Sequence, residues 1–145
     1  MQEAKEHLIN GIKNGLDVSI KLIKTIVPFY IAVDLLINTQ VANTIGKFLA
    51  PFMHLFGLTG KMAVALISGW LVNLYAAIAA VAPLHPTWQQ VTILGLMNGI
   101  AHNLIVEAAV LHKTGTNPFF TIVFRISVSL IAGFLLYQFL RFVYG

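Results

Sequence analysis

The run Met62–Leu84, "MAVALISGWLVNLYAAIAAVAPL", holds 23 residues without a formal charge. At about 1.5 Å per residue a single helix through it is ~35 Å long, enough to cross a hydrocarbon core of ~30 Å. The run therefore predicts a transmembrane helix. Composition agrees: 58% of the 145 residues are hydrophobic and 10% are charged, against roughly 45–50% and 25% in soluble domains.

Three further stretches are long enough to span: Val91–Leu111, interrupted by His102 and Glu107; Pro118–Leu140, interrupted by Arg125; and Val18–Ile37, carrying Pro28 and Asp34. Between the last of these and Met62 lies "VANTIGKFLAPFMHLFG", residues 41–57. It is short and polar, and reads as a short crossing, a re-entrant hairpin or an interfacial helix. No apolar core follows the N-terminus "MQEAKEHLIN", so no cleavable signal is expected.

Residues 4–24 place Leu8, Ile12, Leu16, Ile20 and Ile23 at steps of three or four, with Lys13, Asp17, Lys21 and Lys24 opposite. That pattern predicts an amphipathic helix on, or leading into, the membrane. The chain thus divides into an interfacial helix, residues 1–24, and a single transmembrane domain, residues 25–145. No internal repeat and no low-complexity stretch is apparent. Thr87 followed three residues on by Gln90 forms a capping box after Pro83, with Trp88 suited to the interface. His112, Lys113, Gly115 and then Asn117–Pro118 mark a helix stop and the next start.

Lys5, Lys13, Lys21 and Lys24 lie before or at the entry to the first span, which predicts a cytoplasmic N-terminus in a cell (inner) membrane rather than nucleic-acid binding. If 41–57 crosses, Lys61 and Lys113 fall on the same side as those lysines. The expected fold is therefore all-α, with about five membrane segments, one short or re-entrant. Zero cysteines remove disulfides and thiol chemistry. No Gly-x-Ser-x-Gly, phosphate-cradling glycine loop or dinucleotide fingerprint is present, so neither an enzyme nor a cofactor is expected. His102, Glu107 and His112 stand five apart, which does not gather metal ligands on one helix face.

The stretch "MNGIAHNLIVEAAVL", residues 97–111, carries the candidate chemistry: Asn98, His102, Asn103 and Glu107. A charge at the bilayer centre costs about 2.5–3.5 kcal/mol, so Asp34, Glu107 and Arg125 should face protein or water, or pair. Counted from the turn between residues 111 and 118, Glu107 and Arg125 differ in depth by about three residues, or ~4.5 Å, within reach of an arginine. The same count sets His102 and Asn103 level with Ser127, while Asn73 sits at the middle of the uncharged run. Such a layer reads either as a solute or ion site or as a hydrogen-bonded packing device.

On one unbroken helix His102 and Glu107 are about 140° apart. A break near "NGIAHN", eased by Gly99, lets both sets converge, as in transporters built on discontinuous helices. Alternatively, Gly95 and Gly99 only allow close helix contact.

The stretch "GIAHNLIVEAAVLHKTG", residues 99–115, resembles the signature of the nucleoside-recognition, or Gate, domain membrane proteins. "GKFLAPFMHLFGLTGKMAVALISGW", residues 46–70, is similar to that family's proline-bearing short helix, glycine turn and following span. The resemblance implies kinship with the spore maturation A and B proteins and, more remotely, with concentrative nucleoside transporters and ferrous iron transporter B. It directs attention to His102, Asn103 and Glu107, and to Lys113, Thr114 and Gly115 in the following loop. Ile105 stands where many relatives have proline, and the chain is one Gate unit long.

Five short segments scarcely surround a polar cavity, so a homo-oligomer or a second Gate-domain protein is the expected partner, beside the lipid bilayer and a small polar solute. Two functions follow. One is a transporter or channel component that recognises a nucleoside-like solute or ion at Asn98, His102, Asn103 and Glu107, supported by Asn73, Arg125, Ser127 and Asp34. The other is a non-transporting assembly or regulatory subunit whose polar layer only fixes helix packing.

Overall fold

The computed structural model describes residues 2–37, 39–113, 115 and 117–144, without the side chains of residues 2–5, 25, 29, 33, 34, 36, 37, 41 and 42. The Asp34 carboxylate, Thr114 and any role given to them lie outside this description. Every regular element among the described residues is helical.

Helix α1, Gln2–Ile37, runs through the amphipathic stretch and the first apolar one as one helix of 36 residues, about 54 Å long. It packs against α4. Helix α2, Gln40–His54, has 15 residues and a length of ~22 Å, short of a hydrocarbon core. It ends in a Schellman turn: Leu58 N donates to Met53 O (3.1 Å) and Gly57 N to His54 O (3.0 Å). Gly57 occupies the left-handed position at φ 67°. Met53 and Leu58 bury their side chains together beneath the turn.

The uncharged run does not form the single span its length predicts. A 3-10 turn, Gly60–Met62, leads into α3, Ala63–Leu71; the chain breaks at Val72–Asn73; then α4, Leu74–Val81, runs to a second 3-10 turn, Ala82–Leu84. The two helices fold back against each other. Ala65 packs with Ala80, positions that a straight helix would hold about 22 Å apart, and Gly69 faces Ala77. Leu84 and Lys61, at the two ends of the run, line one groove. Small residues on both facing surfaces let the backbones approach, which is how apolar helices gain packing where lipid offers no hydrophobic gradient. At the turn Val72 N and Asn73 N both reach Ser68 O (2.9 and 3.2 Å), and Asn73 Oδ1 accepts from Ala76 N (2.8 Å) to cap α4.

Helix α5, Trp88–Ala101, starts in the expected capping box: Thr87 Oγ1 accepts from Gln90 N and Gln90 Oε1 accepts from Thr87 N. His102 and Asn103 interrupt it, and α6, Leu104–Lys113, continues. Helix α7, Pro118–Tyr144, begins with Asn117 Oδ1 accepting from Phe119 N and packs against both halves, α5 and α6. Among the described residues, Trp88–Lys113, taken through its break, and Pro118–Tyr144 are the two helices long and apolar enough to cross a membrane. Gly60–Leu71 and Leu74–Leu84 are shorter apolar helices.

The main core lies where the α2 turn, the base of the α3–α4 hairpin, α5 and α7 meet, with Met53, Leu58, Met62, Leu66, Ile93 and Met97 almost wholly buried. Gly57 admits the Tyr137 ring there, since a Cβ would lie 2.3 Å from a ring carbon.

Candidate functional site

The tip of the α3–α4 hairpin meets the break between α5 and α6. Asn103 N donates to Gly69 O at 3.0 Å, joining the two interruptions directly. His102 is extended, with φ −82° and ψ 157°, and Asn103 takes a left-handed conformation at φ 58°. Asparagine tolerates that region better than most residues, which is why the chain turns here. The break is thus three to four residues beyond Gly99, which stays helical in α5.

A helix that stops inside an apolar body exposes its last carbonyls, and each left bare would be costly. Here side chains take them in order. Ser129 Oγ donates to Met97 O (2.8 Å). His102 Nδ1 lies 3.2 Å from both Asn98 O and Gly99 O, so the proton is on Nδ1 and is shared between them. Arg125 Nε donates to Ile100 O (2.8 Å). The Arg125 guanidinium also pairs with Glu107 in the first turn of α6, so one side chain binds both halves of the broken helix to α7.

Asn98 is 2% exposed, and its Oδ1 has no hydrogen-bond partner among the described residues. It is pressed against Gly69, where a Cβ would come within 1.9 Å of Oδ1. A cavity of about 70 Å³ between α4 and α5 is walled by Leu74, Ala77, Leu94, Gly95 and Asn98. That volume holds a few water-sized groups, against some 300–1,000 Å³ for a pocket that encloses a drug-sized ligand.

The structure therefore gathers Asn98, His102, Asn103, Glu107 and Arg125 around one break, with Asn73 capping the facing hairpin tip. Ser127 does not join them: it lies exposed on α7, and Ser129, buried to 0% exposure, takes the position toward α5. Two serines in adjacent odd positions are about 200° apart on a helix, so matching depth alone chose the wrong one. Gly95 and Gly99 are not a helix contact within the chain, since a Cβ at either meets nothing within 4 Å. Among the described residues no three His, Asp or Glu side chains gather as metal ligands.

One signal in the sequence locates both interruptions. "SGWLVNL", residues 68–74, and "NGIAHNL", residues 98–104, share the pattern Gly-x-x-x-Asn-Leu thirty residues apart. In each copy the Asn stands at the break and the Leu opens the next helix. The expectation of no internal repeat is corrected at this scale: the repeat is too short to show as periodicity, but it marks the same backbone event twice.

The profile of a family described as nucleoside recognition (Gate) matches residues 19–134. The chain is also similar to an "uncharacterized membrane protein YvoD" of Bacillus subtilis (strain 168), with 37% identity over 111 residues, 77% of this chain and 36% of the relative. The aligned region thus spans about a third of that relative's length. No solved structure matches.

Proposed function

This chain belongs to the nucleoside-recognition (Gate) family and is a membrane protein by its apolar helices and its relative, and on that premise we propose that it is a component of a transporter or channel. It recognises a small polar solute, nucleoside-like or an ion, where the hairpin tip meets the α5–α6 break. The observation that carries this reading is the Asn103 N to Gly69 O bond, because it joins two interrupted helices at the depth of one polar layer. Transporters form their sites from such half-helix ends, whose free backbone groups and dipoles face the solute. The unpartnered Asn98 Oδ1 supplies an acceptor at the same place. The role is recognition and passage rather than catalysis.

In the membrane, the α3–α4 hairpin enters and leaves by one face. Gly60 to Leu71 is about 17 Å long, which takes the tip near mid-depth of a ~30 Å core. Asn43 and Leu84 line one groove, so the start of α2 lies at the hairpin base. The N-terminal lysines and Lys113 then fall on one side, and Lys47, Lys61 and Arg141 on the other. That five-to-three split supports a cytoplasmic N-terminus in the cell (inner) membrane.

A cavity of about 70 Å³ does not enclose a nucleoside. A second copy, or a second Gate-domain protein, completes the site, and the open Gly95–Gly99 face of α5 suits close helix contact.

Thermal stabilisation of the detergent-purified chain by a panel of nucleosides, nucleobases and ions, beside the Glu107→Gln variant, tests the reading. A ligand at 100 times its dissociation constant adds about 2.7 kcal/mol. Stabilisation lost in the variant, together with solute uptake in proteoliposomes, is the expected result. Silence across the panel with the variant unable to assemble favours the second reading, an assembly or regulatory subunit. One observation favours that alternative: four successive carbonyls at the break already have partners within the chain.

A further inference from the structure

A second polar feature lies away from the break, where the first turn of α5 meets the end of α7. Tyr137, Leu140, Arg141 and Tyr144 stand at i, i+3, i+4 and i+7 on α7, and so share one face of that helix. Leu140 is buried and Tyr137 packs against the core, which turns this face toward α5. There the Trp88 ring meets the Tyr144 ring edge to face, with centroids 5.2 Å apart and planes at 85°. Both rings remain exposed. Exposed tryptophan and tyrosine at the ends of apolar helices sit at the level of the lipid headgroups, which sets the depth of this end of the molecule.

Between the two helix ends runs a groove of about 330 Å³, lined by Tyr137, Arg141 and Tyr144 from one side and by Thr87, Gln89 and Gln90 from the other. Gln90 is committed within the chain, since its Oε1 accepts from Thr87 N and its Nε2 donates to Gly57 O. Arg141 and the Gln89 side chain, by contrast, have no hydrogen-bond or ion-pair partner among the described residues. None of the lining residues is acidic, and the sequence has no Asp or Glu after Glu107, which pairs with Arg125. Because α5 begins where α7 ends, the two helix dipoles offset each other here, and Arg141 decides the sign of the groove.

We propose that this groove binds the phosphate of an anionic phospholipid headgroup. A guanidinium fork matches two phosphate oxygens, and the Gln89 amide and Thr87 hydroxyl are neutral donors on the same lining. A zwitterionic headgroup brings an ammonium that finds no carboxylate there, so the groove selects a headgroup of net negative charge. Basic pockets between membrane helices hold such headgroups. The exposed Phe142, next to Arg141 on α7, offers apolar surface for the lipid chains. The proposal is independent of the solute reading, because it uses none of the residues at the break.

The test compares the full chain with Arg141→Gln, with Gln89→Glu, which sets a carboxylate on the lining, and with Lys113→Gln as a control at the end of α6. Each is purified in detergent, and its melting temperature without lipid establishes that it is folded. Native mass spectrometry follows retention of phosphatidylglycerol against phosphatidylcholine. Thermal stabilisation follows titration with mixed micelles of either lipid, or with glycerol 3-phosphate. The unaltered chain and the Lys113 control should retain phosphatidylglycerol in preference to phosphatidylcholine. Affinity for phosphatidylglycerol should fall about five-fold in Arg141→Gln, and at least as far in Gln89→Glu. Equal affinity in Arg141→Gln and the unaltered chain, or equal retention of the two lipids by the unaltered chain, overturns the proposal. Stabilisation by glycerol 3-phosphate with no response to either lipid overturns the lipid source and assigns the groove to a soluble phosphate.

Discussion

Asn98 Oδ1 sits so close to Gly69 that a single added methyl group at position 69 would fall 1.9 Å from it. The carbonyl of the same Gly69 accepts from Asn103 N. One residue at the hairpin tip therefore fixes both the buried amide of α5 and the start of α6.

Gly69→Ala is expected to destabilise the chain by about 1–3 kcal/mol through overpacking. The added Cβ also meets Ala77 at 3.1 Å, so the hairpin cannot relieve the clash by shifting toward α4. Gly95→Ala, inside α5 with a Cβ that meets nothing within 4 Å, serves as the comparison and should leave stability unchanged or raise it by up to about 1 kcal/mol in the monomer. Thermal unfolding of both variants in the same detergent decides it, and equal losses would remove the steric argument.

Arg125 links three elements, so its removal should cost more than removal of its ion-pair partner. Arg125→Gln leaves Ile100 O and the Glu107 carboxylate both without their donor, whereas Glu107→Gln leaves Arg125 bonded to Ile100. The double variant should show a coupling of about 0.5–3 kcal/mol. Because the Glu107 side chain is 40% exposed, the lower part of that range is expected. A double-variant cycle on melting temperature checks this, and strict additivity would sink the pairing.

Ser129→Ala should cost about 0.6–1.5 kcal/mol, the usual worth of a buried hydrogen bond to a helix carbonyl, because Met97 O loses its side-chain donor. Ser127→Ala, on the exposed side of α7, should be nearly silent. The reverse order of effects would restore Ser127 to the polar layer.

How far these features could be read from the sequence depended on whether the signal was local. The capping box at Thr87–Gln90 and the Asn117–Pro118 start involve neighbours in the chain, and both were legible. The Glu107–Arg125 pair was legible because a short turn fixes the relative depth of two helices. Angular position was not fixed by depth, hence Ser127 in place of Ser129. The hairpin was hidden for a different reason. An uncharged run of 23 residues has the same length and hydropathy whether it crosses once or folds back halfway. What decides between them is contact between Ala65 and Ala80 and between Gly69 and Ala77, pairs eight to fifteen residues apart whose small size looks unremarked in a row of apolar letters. The repeated Gly-x-x-x-Asn-Leu was the available clue, since it places a helix-capping residue at the centre of a run that otherwise has no reason to stop.

The folded-back hairpin makes a prediction that its rival excludes. If Met62–Leu84 crossed as one helix, the residues just before and just after it would lie on opposite faces of the membrane. In the hairpin, Thr59 and Gln89 lie at the same end of the molecule, since Gly57 O accepts from Gln90 Nε2 (3.2 Å) and Thr59 follows two residues after Gly57. The chain has no cysteine, so single thiols can be placed without a background. Thr59→Cys and Gln89→Cys should both react with a membrane-impermeant maleimide from one face of sealed vesicles, and His112→Cys should react from the other. Opposite sidedness for Thr59→Cys and Gln89→Cys would mean a single straight crossing, and the half-helix site built on the hairpin tip would fall with it.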